Sequence, residues 1–344
     1  MVRGAMKSIS LEELAKQIGV GVATVDRVLN ERGGVSPETT RRVLQAAREA
    51  GLKRILPQER RLPWQIEVLL SANDSLFFSR LTQDFADVAD SLGYRRLTLH
   101  RTLVAESEPE KLAKSIIRSS KKRHAIIVFG NEHPRVYEAL RQCREVNVPV
   151  ITLVTDLPQA QRLCHVGINQ QQAGRTAGMM MGLMAHRSGE VLMLSGRQDF
   201  SAHRSRIQGF RDVISQRFPH LQLGEVLAGE DNRQQIDRLL EKALNRNRDV
   251  VGIYNTGLGN TQVAQALARH RRYGECCWIT HERYSTTREQ LAQGGMALTL
   301  DQNPRQHAQL AVELALRHLE TGYQPDLFSD GRVEFILYSA ENVD

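Results

Sequence analysis

From residue 10 to residue 51 the apolar positions recur every three or four residues in three bursts; beyond residue 65 they gather into short runs spaced by longer amphipathic stretches. The first rhythm belongs to helices, the second to strands alternating with helices. Ser10, with Glu13 three residues later, forms a capping box ahead of Leu11, Leu14, Ala15 and Ile18, which predicts a helix over Leu11 to Ile18. Gly19-Val20-Gly21 leaves room only for a turn, and helical spacing resumes over Val22 to Leu29 with Val25, Val28 and Leu29 on the inner side. Ser36 before Pro37 starts a third helix, whose stripe of Val43, Leu44 and Ala47 packs across the other two and which Gly51 can close. Two helices joined by so tight a turn, with a third across them, make a small all-α helix-turn-helix unit whose second helix suits a DNA major groove.

Lys53 to Trp64, KRILPQERRLPW, has two prolines, four cations and no apolar period, and reads as a linker. After it, strands are predicted at Ile66 to Leu70, Arg96 to His100, Ala125 to Phe129 and Val150 to Leu153. A second series follows at Val166 to Ile168, Val191 to Leu194, Leu221 to Val226, Val250 to Tyr254, Cys277 to Thr280 and Ala297 to Leu300. Helices between them include Phe77 to Leu92, Pro109 to Ser120, Gln170 to His186, Arg204 to Phe218, Gln234 to Asn245 and Asn303 to Thr321. Two such series predict two doubly wound α/β lobes. Ligands of open parallel sheets sit beyond the C-terminal strand ends, so two lobes facing each other there make a cleft. The chain is thus expected to divide into a headpiece at 1–52, a linker at 53–64 and a two-lobed domain at 65–344.

The net charge of +7 is unevenly spread: residues 1–62 hold 12 Lys or Arg against 7 Asp or Glu. A basic patch coinciding with a helix-turn-helix points to double-stranded DNA, because it binds phosphate by releasing counterions. No run of 18 apolar residues exists; Ala173 to Ala185, AGRTAGMMMGLMA, is too short and includes Arg175. The N-terminus lacks the order of a signal peptide, so the expected location is the cytoplasm, with no membrane partner. Four cysteines, two adjacent at Cys276 and Cys277, show neither metal-ligand nor disulfide spacing and are read as small core residues; no metal or cofactor is expected.

TVDRVLN followed by VSPETTRRVLQAAREAG resembles the headpiece of the LacI/GalR family of bacterial transcription regulators, over about 45 residues in one register. The resemblance implies base contacts from Val22, Ala23 and Arg27, and phosphate contacts from Thr24, Asn30, Ser36 and Thr39. Arg27 is the expected main reader, since its fork can donate twice to guanine; Val22 and Ala23 offer apolar contact such as to a thymine methyl. Family members usually carry serine where Gly21 and Asp26 stand. The reading helix therefore lacks its usual cap, and Asp26 is expected to pair with a nearby arginine rather than to accept from cytosine. The linker lacks the family's hinge-helix pattern, Pro57 would interrupt a helix, and only Leu56 or Leu62 remains as a wedge for the minor groove.

The remaining chain resembles the ribose-type periplasmic sugar-binding proteins over roughly Gln65 to Asn342. Phe77-Phe78, VPVITLVTDLP at 148–158, VGINQQQAGRTAG at 166–178, SAHRSRIQGF at 201–210, YNTG at 254–257 and LDQNP at 300–304 follow in order. The resemblance implies lobes at about 65–163 with 302–327 and 164–299 with 329–344, crossing near Leu163, Thr299 and Phe328. It places Phe77 or Phe78 on a sugar face, gives Arg206 a forked contact with ring or hydroxyl oxygens, and makes Asn255 and Gln302 amide partners. Such a mixture suits a monosaccharide or polyol, whose hydroxyls both donate and accept. Asp156 stands two residues beyond the usual acidic position, occupied by Val154, and His281-Glu282 replaces an expected aspartate; Asp156 and His281 complete the expected ligand set.

Together these features predict a ligand-responsive DNA-binding regulator, a repressor by family analogy, that binds a palindromic operator as a homodimer. The dimer is preferred to a tetramer because the chain ends at Asp344 soon after Phe335 to Tyr338. Effector in the cleft would favour one arrangement of lobes, and hence of headpieces. A sugar kinase or transferase carrying a headpiece is the rival class. Gly19 and Gly21, however, follow no strand, and no nucleophile elbow, P-loop or metal-binding helix occurs. A transport binding protein would need an export signal and no headpiece, and a constitutive DNA-binding protein would need no cleft.

Overall fold

The computed structural model describes residues 9–30, 32, 34–50, 63–73, 75–93 and 96–343, and two compact units divide between Pro63 and Trp64. The expected linker and its candidate wedges, Leu56 and Leu62, lie outside the described residues. Trp64 itself belongs to the first strand rather than to the linker: its backbone pairs with the strand at 97–104 and its ring meets His124 edge-on at 5.0 Å.

In the first unit, helix α1 spans Leu11–Ile18, α2 Val22–Leu29 and α3 Pro37–Glu49. The capping box forms as the spacing predicts, with Ser10 N–H donating to Glu13 at 2.8 Å and Glu13 N–H to Ser10 Oγ at 3.2 Å. Gly19 ends α1 at φ +68°, a left-handed turn that most side chains resist. Leu14, Ala15, Val25, Val28, Leu29, Val43, Leu44, Ala46 and Ala47 form the core where the three helices meet.

The second unit holds two sheets. The first, in order β2-β1-β3-β4-β5, is parallel throughout and uses β1 Trp64–Ser71, β2 Leu97–Val104, β3 Ala125–Val128, β4 Val150–Leu153 and β5 Cys164–Val166. The second, in order β11-β10-β9-β8-β6-β7, uses β6 Gly189–Ser195, β7 Leu221–Ala228, β8 Val250–Asn255, β9 Cys277–His281, β10 Leu298–Asp301 and β11 Ile336–Tyr338, the last antiparallel to β10. β3, β4 and β8 are buried at every position, as parallel strands covered by helices on both faces must be. The covering helices are α4 Leu76–Leu92, α5 Pro109–Ser120, α6 Pro134–Glu145 and α12 Pro304–Thr321 on the first lobe. On the second they are α7 Gln170–Met184, α8 Ser201–Arg217, α9 Arg233–Arg246, α10 Asn260–Arg269 and α11 Ser285–Ala292.

The lobe boundaries fall later than the sequence suggested. β5 ends at Val166 instead of beginning there, and it belongs to the first sheet: Ile151 pairs with Cys164 and Leu153 with Val166. Cys164 and Val166 face inward on either side of His165, a two-residue alternation that the polar His165 hides. Crossings therefore lie beyond Val166, beyond Asp301 and at a bridge between Gly167 and Arg332, rather than near Leu163, Thr299 and Phe328.

The AGRTAG stretch that looked apolar in sequence packs α7 against α8. A side chain at Gly174 would start 2.0 Å from the Arg206 carbonyl oxygen, and one at Gly209 would start 2.2 Å from that of Gln171. This close approach brings Arg206 over the start of α7.

Candidate functional sites: an exposed helix face and an interlobe cavity

The outer face of α2 presents Val22, Ala23 and Arg27 to solvent, with Thr24 half-buried beside them. Turning Val25, Val28 and Leu29 into the core leaves these positions no other direction. Asp26 does pair with an arginine: its carboxylate accepts from Arg32 at 2.9 Å and from the Asn30 amide at 2.6 Å. Asn30 thus helps to hold this aspartate. Ser36 and Thr39 form the α3 cap together, Thr39 N–H donating to Ser36 Oγ at 3.2 Å with the two hydroxyls 2.9 Å apart. Gly21 caps α2 with no side-chain bond, serving the first turn only through its carbonyl, which accepts from Thr24 N–H at 2.9 Å.

Between the lobes lies a cavity of about 200 Å³ at the C-terminal ends of the strands. Phe77, Phe78, Arg206, His281 and Gln302 all line it. Phe77 and Phe78 meet edge to face, Phe78 meets Phe129, and Phe129 of the first lobe stacks on Phe200 of the second at 5.0 Å and 15°. This continuous aromatic wall offers an apolar platform from both lobes.

The polar floor is a chain of hydrogen bonds across the crossings. Gln170, the first residue of α7, donates to the Val154 carbonyl at 2.9 Å and to Gln302 at 3.1 Å, and accepts from Arg206 Nε at 2.7 Å. Arg206 Nη1 donates to the Thr256 carbonyl at 2.8 Å, and Gln302 Nε2 donates to Glu282. The forked contact expected of Arg206 is thus half spent inside the protein, with Nη2 left over among the described residues. Burial above all lowers the Arg206 pKa from its ordinary value. Glu282 is pushed up to about 8 by burial, with Asp301 adding and Arg206 opposing. His281 lies 2.9 Å from the Tyr254 hydroxyl through Nε2, its Nδ1 is buried without a partner, and burial with the nearby Arg206 charge holds it neutral.

Asp156 and Asn255 do not line the cavity. The Asp156 carboxylate is captured by Arg162 at 2.6 Å, by Thr152 at 2.9 Å and by its neighbour's N–H at 2.8 Å. Asn255 is fully buried and braces the turn after β8, donating to Asn260 at 2.7 Å and accepting from Gly257 N–H at 3.1 Å. Asn73, Glu106, Phe129, Phe200, His203, Asp231 and Glu282 line the cavity without having been singled out for it. Several stand just beyond a strand end, Asn73 after β1, Glu106 after β2, Phe129 after β3, Asp231 after β7 and Glu282 after β9, which is the signal that could have found them. Val154, Asp231 and Glu282 adopt φ of 66°, 54° and 76°. For the branched Val154 this is a strained conformation, held at the wall of the cavity and tied down by Gln170.

Residues 10–54 match the bacterial regulatory proteins of the lacI family, and residues 66–324 match the periplasmic binding protein domain family. The chain belongs to the periplasmic binding protein domain family over most of its length, behind a lacI-family helix-turn-helix region. Among similar lacI-type proteins, the HTH-type transcriptional regulator MalR of Clostridium butyricum is 21% identical over 72% of this chain and 73% of its own length. The ribose import binding protein RbsB of Escherichia coli is 24% identical over 44% of the chain, and that match spans about half (50%) of RbsB. The fold of the body is also that of GanP, a glucose-galactose binding protein from Geobacillus stearothermophilus, with a TM-score of 0.74 at 19% identity, covering 82% of this chain and 99% of GanP. Among the described residues no helix is long and apolar enough to cross a membrane.

Proposed function

We propose that the protein is a ligand-responsive transcriptional regulator of the cytoplasm, binding double-stranded operator DNA as a homodimer and a sugar-like or polyol effector between its lobes. The observation that carries this is the presence, in one chain, of an exposed α2 face bearing Arg27 and of an interlobe cavity with an aromatic wall and a bonded polar floor. In this reading Val22, Ala23 and Arg27 meet base edges, and Thr24, Ser36 and Thr39 meet phosphates. Asp26 and Asn30 act indirectly, by fixing each other and Arg32. Phe77 and Phe78 pack on the effector, while Arg206 Nη2, His281 and Glu282 meet its polar groups. That two relatives are named for ribose and for glucose and galactose supports a small polyhydroxylated ligand.

The floor supplies a route for coupling. Gln302 and Gln170 sit at the crossings and join Val154 of one lobe to Arg206 and Glu282 of the other, so an effector that reorders this chain changes how the lobes meet. Selection of duplexes from a random pool by the full chain, followed by a thermal-shift screen of sugars and polyols, tests both halves. An enriched palindrome and a stabilising sugar or polyol are expected; enrichment of no sequence would refute the operator reading.

A further inference from the structure

Two carboxylates of the cavity come from opposite lobes, and among the described residues neither forms an ion pair. Glu106 follows β2 of the first lobe, and Asp231 follows β7 of the second. Glu106 Oε1 accepts from Ser71 Oγ and Asn73 Nδ2, each at 2.7 Å, while Oε2 takes part in no hydrogen bond with described residues. Asp231 accepts the backbone N–H of Arg197 at 3.3 Å. The Arg197 guanidinium, whose charge is felt by both, is committed to Asp199 through bonds of 3.1 and 2.6 Å, and Arg233, which also lines the cavity, forms no ion pair with either acid. Burial raises both acids, Glu106 up to about 7 with the Asp231 charge adding. The same wall offers no positive histidine, because burial, with Arg206 adding, takes His203 down to about 3 and holds His281 neutral. Arg206 gives Nε and Nη1 to Gln170 and Thr256 and keeps its charge at the floor of the cavity, near His281 and Gln302 rather than paired with either acid. Beside Glu106 stand Phe129 and Phe200, one from each lobe and stacked on each other. An aromatic wall next to two carboxylates that no described residue holds in an ion pair is an environment that attracts an ammonium group.

We propose that the effector carries a protonated amine among its hydroxyls, as an amino sugar or amino-polyol does, and that its ammonium sits between Glu106 and Asp231 beside Phe129 and Phe200. The assignment rests on the reading of this cavity as the effector site. An ammonium brings three donors and a positive charge to two acceptor groups, whereas a hydroxyl brings one donor and no charge. It also neutralises a like-charge pair that closing the lobes would otherwise press together, so the same group that confers affinity favours the closed arrangement. A phosphorylated or carboxylated ligand would add negative charge at this point.

Calorimetric titration and thermal shift of the full chain near neutral pH, with D-glucosamine, D-galactosamine and 1-amino-1-deoxy-D-glucitol against D-glucose, D-galactose and D-glucitol, test the assignment. At least one amine is expected to bind about tenfold or more tightly than its hydroxyl parent, the gain of a charge-assisted over a neutral bond. Glu106→Gln, which keeps the acceptor used by Ser71 and Asn73, and Asp231→Asn are each expected to erase that preference. The unliganded melting curve of each variant reports that it has folded. Equal or tighter binding of the neutral parents overturns the ammonium assignment and leaves the effector reading standing. Silence from both members of every pair overturns the assignment, and silence from a full sugar and polyol screen overturns the effector reading as well.

Discussion

The α2 face and the interlobe cavity solve opposite problems. On α2 the working side chains are exposed, stand within about a turn and a half of each other and were placed by a single helical period. In the cavity they are buried, come from both lobes and depend on partners such as Gln170 and Gln302, 132 residues apart. A surface reader needs only a rigid helix beneath it; a buried site needs its side chains held by partners, with the atoms left over aimed at the ligand. Substitutions should therefore act locally in the headpiece and through networks in the cavity.

The strongest test of that separation is Leu44→Ala. Leu44 is fully buried in the headpiece core, and its loss costs about 3 kcal/mol, much of what a unit of this size has to spare. Operator binding should vanish while ligand-induced stabilisation of the body persists in melting curves. Arg206→Ala comes next: it strips donors from the Gln170 amide oxygen and the Thr256 carbonyl, costs about 2 kcal/mol and abolishes the effector response while DNA binding survives in gel-shift titrations. Arg27→Ala, exposed, should leave melting unchanged and remove about 1 to 2 kcal/mol of discrimination between operator and random duplex, with salt-sensitive nonspecific binding retained.

The mildest effect is one of pH. Glu282 keeps its proton up to about 8 in the folded protein against an ordinary 4.5, so the stability it contributes is present below about 4.5 and is lost as pH rises toward 8. Unliganded Glu282→Gln should melt with the parent at about pH 4.5 and increasingly above it toward about pH 8. Glu13 in the headpiece shifts the other way, held down by Ser10, as a capping carboxylate at a helix start does.

Legibility in the sequence followed the same divide. Helices α1 and α2 stand at their predicted bounds because caps, turn glycines and period all act within a few residues. The two α/β lobes and the cleft between them followed from the alternation of runs, while β5 was displaced because His165 interrupts the apolar pattern that its pairing with β4 restores. Phe77, Phe78, Arg206, His281 and Gln302 were placed at the cavity by motif. Asp156 and Asn255 were not, since a motif fixes where a residue stands but not which neighbour takes its side chain; here Arg162 and Asn260 do. Glu106 and Asp231 were legible only as polar residues beyond strand ends, because their opposition across the cavity is made by two lobes.

The central claim, that one chain reads DNA and is told when by a small ligand, reduces to a coupling measurement. Fluorescence anisotropy of the full chain on a selected duplex at fixed salt, with and without a sugar, amino sugar or polyol that stabilises the body, is expected to show a change in DNA affinity of about 5- to 150-fold. Identical affinity with and without a ligand that demonstrably binds would contradict it.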